Sequence, residues 1–275
     1  MKPMIDEAKE AITRWEGEFQ AMPEDVGNWV NGVNVGTMRG VTPVVLARFR
    51  GVPKETITRQ TMMTVTLEEA AAIYVRLYIE APRLDQLPWG PTTGVVADIG
   101  WGSGPVVGIR AAQLLSGAQV DGQIGPQTAT TYADWLRRVG HAQSVEAMES
   151  WRKSFYRRLV EIRPKNARFL GGWINRANWY SAVPPTPWWN SWQPLPDLVE
   201  PPFPIAPVQV TSADLPGLPP MYMNRSFIVE TGEELGWDSI IQAENDALDM
   251  VLRAIPVLGP ALQVGRQIAG LFVRA

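Results

Sequence analysis

The chain has 275 residues, 45% apolar and 19% charged, with a formal net charge of −3, which suits one large or two modest soluble domains with real cores. It has no cysteine, which excludes disulfides, thiolate metal sites and a cysteine nucleophile. Its single histidine, His141, leaves a zinc hydrolase short of the two or three imidazoles it needs and reads as a surface or helix-end residue, so carboxylate chemistry is what remains.

In chain order, the first 20 residues are charged and amphipathic, without the apolar core of a signal peptide. That predicts synthesis in a cytoplasm and delivery to any wall target by a membrane pore or a virus particle. Ile5, Ala8, Ile12, Trp15 and Phe19 recur at three- and four-residue spacing, which predicts a helix over 4–20 with Glu16 beside its apolar face. Asn28, Asn31, Gly32, Asn34 and Gly36 are turn formers, and valines 30, 33 and 35 predict a short hairpin or irregular strands among them. Thr42-Pro43 opens a helix that Gly51 closes after Arg50. Thr66-Leu67-Glu68-Glu69 is a capping box that opens a helix to about Ile79. Residues 92–99 and 106–116 read as apolar helices around the bend Gly100-Trp101-Gly102-Ser103-Gly104. Further helices are expected over 127–139, 144–163 and 167–180. The expectation is a mainly α fold with one small β or irregular region after the first helix.

At Ala182 the composition shifts. Twelve of the next 39 residues are proline, which predicts an extended linker over 182–220. Trp188, Trp189 and Trp192 within it are costly to leave in water and predict docking on a surface. Residues 221–275 read as an acidic and then amphipathic helical tail. Pro256, Pro260, Arg253 and Arg266 argue against a spanning helix, so packing on a partner or contact with a membrane surface is expected. Charge is uneven as well. Residues 1–180 carry 21 basic and 18 acidic side chains, residues 181–275 carry 4 and 10, and the stretch 137–176 holds 10 basic and 3 acidic. That stretch, with Arg152, Lys153, Arg157 and Arg158 at helical spacing, suits an anionic polymer or a solvated face.

A glycosidase needs a carboxylic acid near the scissile oxygen and a second group across the sugar. Glu16 beside Trp15, with Asp25 nine residues on across a turn, offers both. Trp29, Trp89 and Trp101 are candidates for stacking on sugars or for core packing. Gly100, Gly102 and Gly104 lack the following Lys-Ser/Thr of a nucleotide loop and read as helix-packing glycines.

Three segments belong together: Arg14-Trp15-Glu16-Gly17-Glu18-Phe19, Asp25-Val26-Gly27-Asn28, and Gly36-Thr37-Met38-Arg39-Gly40-Val41-Thr42. They resemble glycoside hydrolase family 108, the phage and bacterial N-acetylmuramidases, with their Glu-Gly, Asp-x-Gly-(Asn/Gly) and Gly-Thr-x-x-Gly-(Ile/Val)-(Thr/Ser) motifs. Gln113-Leu114-Leu115, the run from Val120 to Thr128, and Arg168 to Arg176 resemble the peptidoglycan-binding segment that accompanies this family. Here Trp15 stands where the family commonly has His, and Glu18 where it often has a second glycine. The resemblance implies a lysozyme-like fold and cleavage of the β-1,4 bond between N-acetylmuramic acid and N-acetylglucosamine. Glu16 would be the acid, with Asp25 and Thr37 supporting the attacking water. Asn28, Trp29, Trp101 and Asp121 would contact substrate. It implies a catalytic region over 1–92 and a helical peptidoglycan-binding-type region over 93–181. Peptidoglycan is the expected partner, with no metal, cofactor or nucleic acid. Two rival readings stand beside it: a lytic transglycosylase, and a structural module docked through residues 182–275 into a phage tail or other virion assembly.

Overall fold

A computed structural model describes residues 2–23, 25–162 and 164–182. The linker and tail expected over 183–275 lie outside the described residues. Among the described residues the chain forms two compact units. One is built from residues 2–81 with Trp101–Gly104, the other from Pro82–Gly100 with residues 105–182. The fold is mainly α, and its few short strands lie near the amino terminus.

In the first unit, helix α1 (Lys2–Trp15) buries Ala8, Ala11 and Ile12 against helix α4 (Leu67–Tyr74), which offers Ala70, Ala71 and Ile73. Fully burying an isoleucine such as Ile12 or Ile73 is worth about 1.5–3 kcal/mol. The helix is shorter than its apolar spacing predicts. The amide of Glu16 still reaches the Ile12 carbonyl at 2.9 Å, but Phe19 leaves the helical face and enters a strand. The competing interaction is the pairing of β1 (Phe19–Gln20) with β4 (Thr37–Met38), antiparallel, with Phe19 opposite Met38 and Gln20 opposite Thr37. Between them, β2 (Trp29–Val30) and β3 (Val33–Asn34) form a hairpin. Its turn is Asn31-Gly32, both at positive φ (49° and 78°), the mirror-type turn that matches strand twist.

The cap signals operate as read. Thr42 accepts from the Val45 amide at the start of α2 (Pro43–Arg50), and Gly51 closes that helix in the left-handed conformation. A short α3 (Arg59–Met63), capped by Thr58, was not expected from the sequence. Thr66 caps α4 by accepting from Glu69, whose carboxylate also takes a forked ion pair from Arg50. After Tyr74 the helix widens into a π segment, Val75–Glu80.

In the second unit, residues Pro91–Gly100 of helix α5 (Pro91–Ser103) are surrounded by protein, with Thr92, Thr93 and Asp98 all fully buried. The helix runs through the glycine-rich stretch that reads as a bend and ends at Ser103. The tight crossing is made by Gly108 of α6 (Pro105–Ser116), where a Cβ would strike the Val96 carbonyl oxygen. Helices α7 (Pro126–Val139), α8 (His141–Ile162) and α9 (Ala167–Ala177) complete the unit. His141 is the first residue of α8. Trp151 stacks on Phe155 at 5.1 Å, and Tyr156 meets Trp173 at 5.1 Å, which gives the unit an aromatic core.

Two arginines expected in the exposed basic stretch are interior. Arg152 and Arg176 are 1% and 2% exposed and both bind Asp98. Their faces of α8 and α9 turn inward, so the cationic surface is smaller than the sequence count. Burial opposes the charge on Asp98, but the two guanidiniums outweigh it and hold the carboxyl below its ordinary range.

Candidate active site

Glu16 follows the last residue of α1 and is half-buried. Its Oε1 accepts a hydrogen bond from the indole Nε1 of Trp101 at 2.9 Å. That indole is 1% exposed, held between Tyr74 and Tyr78 with ring centroids at 4.9 and 4.8 Å. The two tyrosines stand four residues apart where α4 passes into the π segment, so both reach the same ring. Against this pair lies Gly40, at φ 80°. A Cβ there would sit 2.9 Å from Glu16 Cγ and 2.9 Å from Trp101 Cζ2. Only glycine satisfies both the left-handed backbone and the close approach.

The Gly-Thr-x-x-Gly segment thus has a structural account. Gly36, at φ 76°, lies where a Cβ would meet the Phe19 ring and come within 2.7 Å of the Gln20 carbonyl oxygen. Thr37 and Met38 form β4, and Arg39-Gly40 make a two-residue turn closed by paired bonds between Met38 and Val41. Arg39 takes the positive φ of 49° that its place in the turn demands. Its amide reaches the Glu18 carbonyl at 2.7 Å, and its guanidinium pairs with the exposed Glu18 carboxylate at 3.3 Å. Glu18 is therefore engaged with a surface arginine.

Asp25 is 7% exposed, and each carboxylate oxygen has a donor. Oδ1 accepts from the Gly27 amide and Oδ2 from Gln20 Nε2, both at 3.0 Å. The same Gln20 amide also donates to Asn28 Oδ1 and accepts from Asn28 Nδ2 and the Met22 amide. Because Gln20 stands opposite Thr37 in the strand pair, one glutamine joins three of the expected site residues: Asp25, Asn28 and Thr37. Nothing in the sequence around Gln20 signals this beyond its place just after the Glu-Gly motif.

Three of the residues expected to contact substrate have other partners within the fold. Trp101 is covered by two tyrosines and Gly40, and its indole donates to Glu16. Asn28 is fully buried, and its amide is spent on Gln20 and on the Met22 carbonyl. Asp121 belongs to the second unit, where its Oδ1 accepts from Gln113 Nε2 at 2.7 Å and the Gln123 amide at 2.8 Å. It closes a turn around Gln113, a fully buried side chain that also accepts from the Asp121 and Gly122 amides. Trp29 remains half-buried, with its Nε1 donating to the Pro23 carbonyl. Among the described residues, no group of three or more His, Asp or Glu side chains is placed to hold a metal ion.

Residues 9–104 match the family model described as Glycosyl hydrolase 108. This region is a glycosyl hydrolase 108 domain. Residues 108–178 match the model described as Predicted Peptidoglycan domain, so the two segments that resemble this pair in sequence are both accounted for. The glycosyl hydrolase 108 match runs from α1 past Trp101 and so contains Glu16 and its indole partner. No curated protein matches the chain. Among solved structures, it is similar to Brucella abortus SagA, at 22% identity and a TM-score of 0.50, over 66% of this chain and 94% of that one. That likeness is one of fold. A glycosyl hydrolase 108 domain followed by a peptidoglycan domain makes this a glycoside hydrolase of the peptidoglycan-degrading kind.

Proposed function

We propose that the protein is an N-acetylmuramidase that hydrolyses the β-1,4 bond between N-acetylmuramic acid and N-acetylglucosamine, with Glu16 as the acid. The observation that carries this reading is the setting of Glu16. It is a half-buried carboxyl at a helix end, gripped by a buried neutral donor and approached by a glycine that no other residue can replace. Glu16 donates its proton to the leaving glycosidic oxygen. Asp25 and Thr37, tied together through Gln20, support the attacking water, and the exposed part of Trp29 meets sugar. Proton donation by a placed acid is worth on the order of 100- to 10,000-fold in rate.

The setting proposed is lysis of a bacterial wall by a phage, with the enzyme either released late in infection or carried on the virion through residues 182–275. The proline-rich, tryptophan-bearing composition of that extension, followed by an acidic and amphipathic stretch, supports docking to a virion protein or a membrane surface. Co-purification with virus particles tests this part separately.

The deciding experiment is mass spectrometry of purified peptidoglycan digested with the full chain and with Glu16→Gln. Reducing muramic-acid ends from the wild type, at least about 100-fold fewer with the variant, are expected. Anhydro ends would replace the proposal with a transglycosylase. Release of no glycan fragment by the wild type would overturn the catalytic role of Glu16.

A further inference from the structure

A glutamic acid has two oxygens, and only one can deliver the proton. The structure assigns that choice: we infer that Trp101 is a positioning residue that fixes Glu16 Oε1 as an acceptor, so that the transferable proton is carried on Oε2. This rests on the reading of Glu16 as the acid.

An indole N–H donates and never accepts. Whatever atom it meets at 2.9 Å must present a lone pair to it. In a neutral carboxyl the carbonyl oxygen is the better acceptor and the hydroxyl oxygen carries the hydrogen. The Trp101 contact therefore makes Oε1 the carbonyl oxygen and Oε2 the hydroxyl. In the proposed step the Oε2–H bond breaks and the proton passes to the glycosidic oxygen. That oxygen keeps the electron pair of its broken bond to the anomeric carbon, to which water adds its hydroxyl and releases a proton. The indole bond to Oε1 persists through the step, because the carboxylate left behind accepts there as well.

The donor is also built to stay in place. The ring is 1% exposed and meets two tyrosine rings within 5 Å. Gly40 closes on both the ring and the Glu16 stem, leaving no room for a Cβ between them. The indole is a neutral donor, so it fixes geometry without placing a cation beside the carboxyl. Trp101 lies 85 residues from Glu16, in the last turn of α5.

Two measurements on the full chain test this. Trp101→Phe keeps an aromatic ring and removes the donor. It should lower kcat on peptidoglycan by roughly 10- to 100-fold while KM changes less than about twofold, as expected when a reacting group loses its orientation. A Trp101→Phe protein that folds, by its near-ultraviolet circular dichroism, and keeps wild-type kcat overturns the proposal. The second measurement needs no active variant. In a chain labelled with 15N-tryptophan, the Trp101 indole resonance should move with pH in the wild type and stay still in Glu16→Gln. A resonance indifferent to pH in the wild type, or one that moves equally in Glu16→Gln, also overturns it. A wild type that shows this coupling yet cuts no glycan would sink the role of Glu16 as the acid while leaving the contact established.

Discussion

Two carboxylates, one in each unit, sit in hydrogen-bonded pockets and have opposite fates. Asp98 is fully buried and meets two guanidiniums: Arg152 at 2.7 Å and Arg176 through a fork at 2.6–3.0 Å. Arg152 is completed by the Tyr156 hydroxyl at 2.8 Å. Glu16 is half-buried and meets a neutral indole. The first arrangement keeps its carboxylate charged and out of reach, which is what a structural joint requires. The second gives a carboxyl an uncharged donor and leaves the residue half-exposed, a setting suited to proton transfer. The kind of partner and the degree of exposure separate the two.

The comparison breaks first at Asp98. Asp98→Asn leaves two buried guanidiniums without their counter-charge and should cost about 3–5 kcal/mol of stability, read by denaturant unfolding. The rate of glycan cleavage per folded molecule should not change; a matching loss of kcat would erase the distinction between joint and site. The cost also depends on pH. The folded Asp98 carboxyl titrates below its unfolded value of about 3.9. Its contribution is therefore fully present above about pH 4 and is lost as pH falls through the lower folded value. The stability gap between wild type and Asp98→Asn should narrow below about pH 4 and stay constant above pH 6.

Gly40→Ala should show the reverse profile. A residue with a Cβ at φ 80° costs about 1–3 kcal/mol, while the methyl pushes directly on Glu16 and Trp101. Activity should fall by at least about tenfold in protein that remains folded, a loss stability does not explain. Equal kcat in Gly40→Ala would mean that the Glu16–Trp101 approach is looser than the contact implies. The smallest effect is expected at Arg50. Its forked pair with Glu69, at 2.8 Å on both arms, is partly solvated, and Arg50→Ala should cost about 0.2–1 kcal/mol with no change in activity. A loss comparable to that of Asp98→Asn would show that exposure is not what separates these ion pairs.

Local chemistry was legible in the sequence where a signal and its effect lie within a few residues. Thr42-Pro43, Gly51 and Thr66 with Glu69 mark helix ends, and the structure places those ends there. Glu16 and its Glu-Gly motif stood out through resemblance, as did the Gly-Thr-x-x-Gly segment, though only the structure explains why Gly40 must be glycine. The end of α1 was misread because Phe19 continues the helical apolar spacing, and the competing strand partner, Met38, is 19 residues away. Arg152 was read as surface because basic side chains at helical spacing look alike whichever way they face; the inward one is revealed by Asp98, 54 residues earlier. The role of Trp101 was hidden for the same reason. A tryptophan between two glycines in an apolar helix signals close packing, but what it packs against lies at the other end of the domain.

That separation has a consequence for the order of manufacture. The chain leaves the ribosome with Glu16 first, at about 5–20 residues per second. The indole that orients the acid emerges 85 residues later, on the order of several seconds afterwards. Every shorter nascent fragment carries the acid without its guide, so the last tool the site receives is the one that aims it.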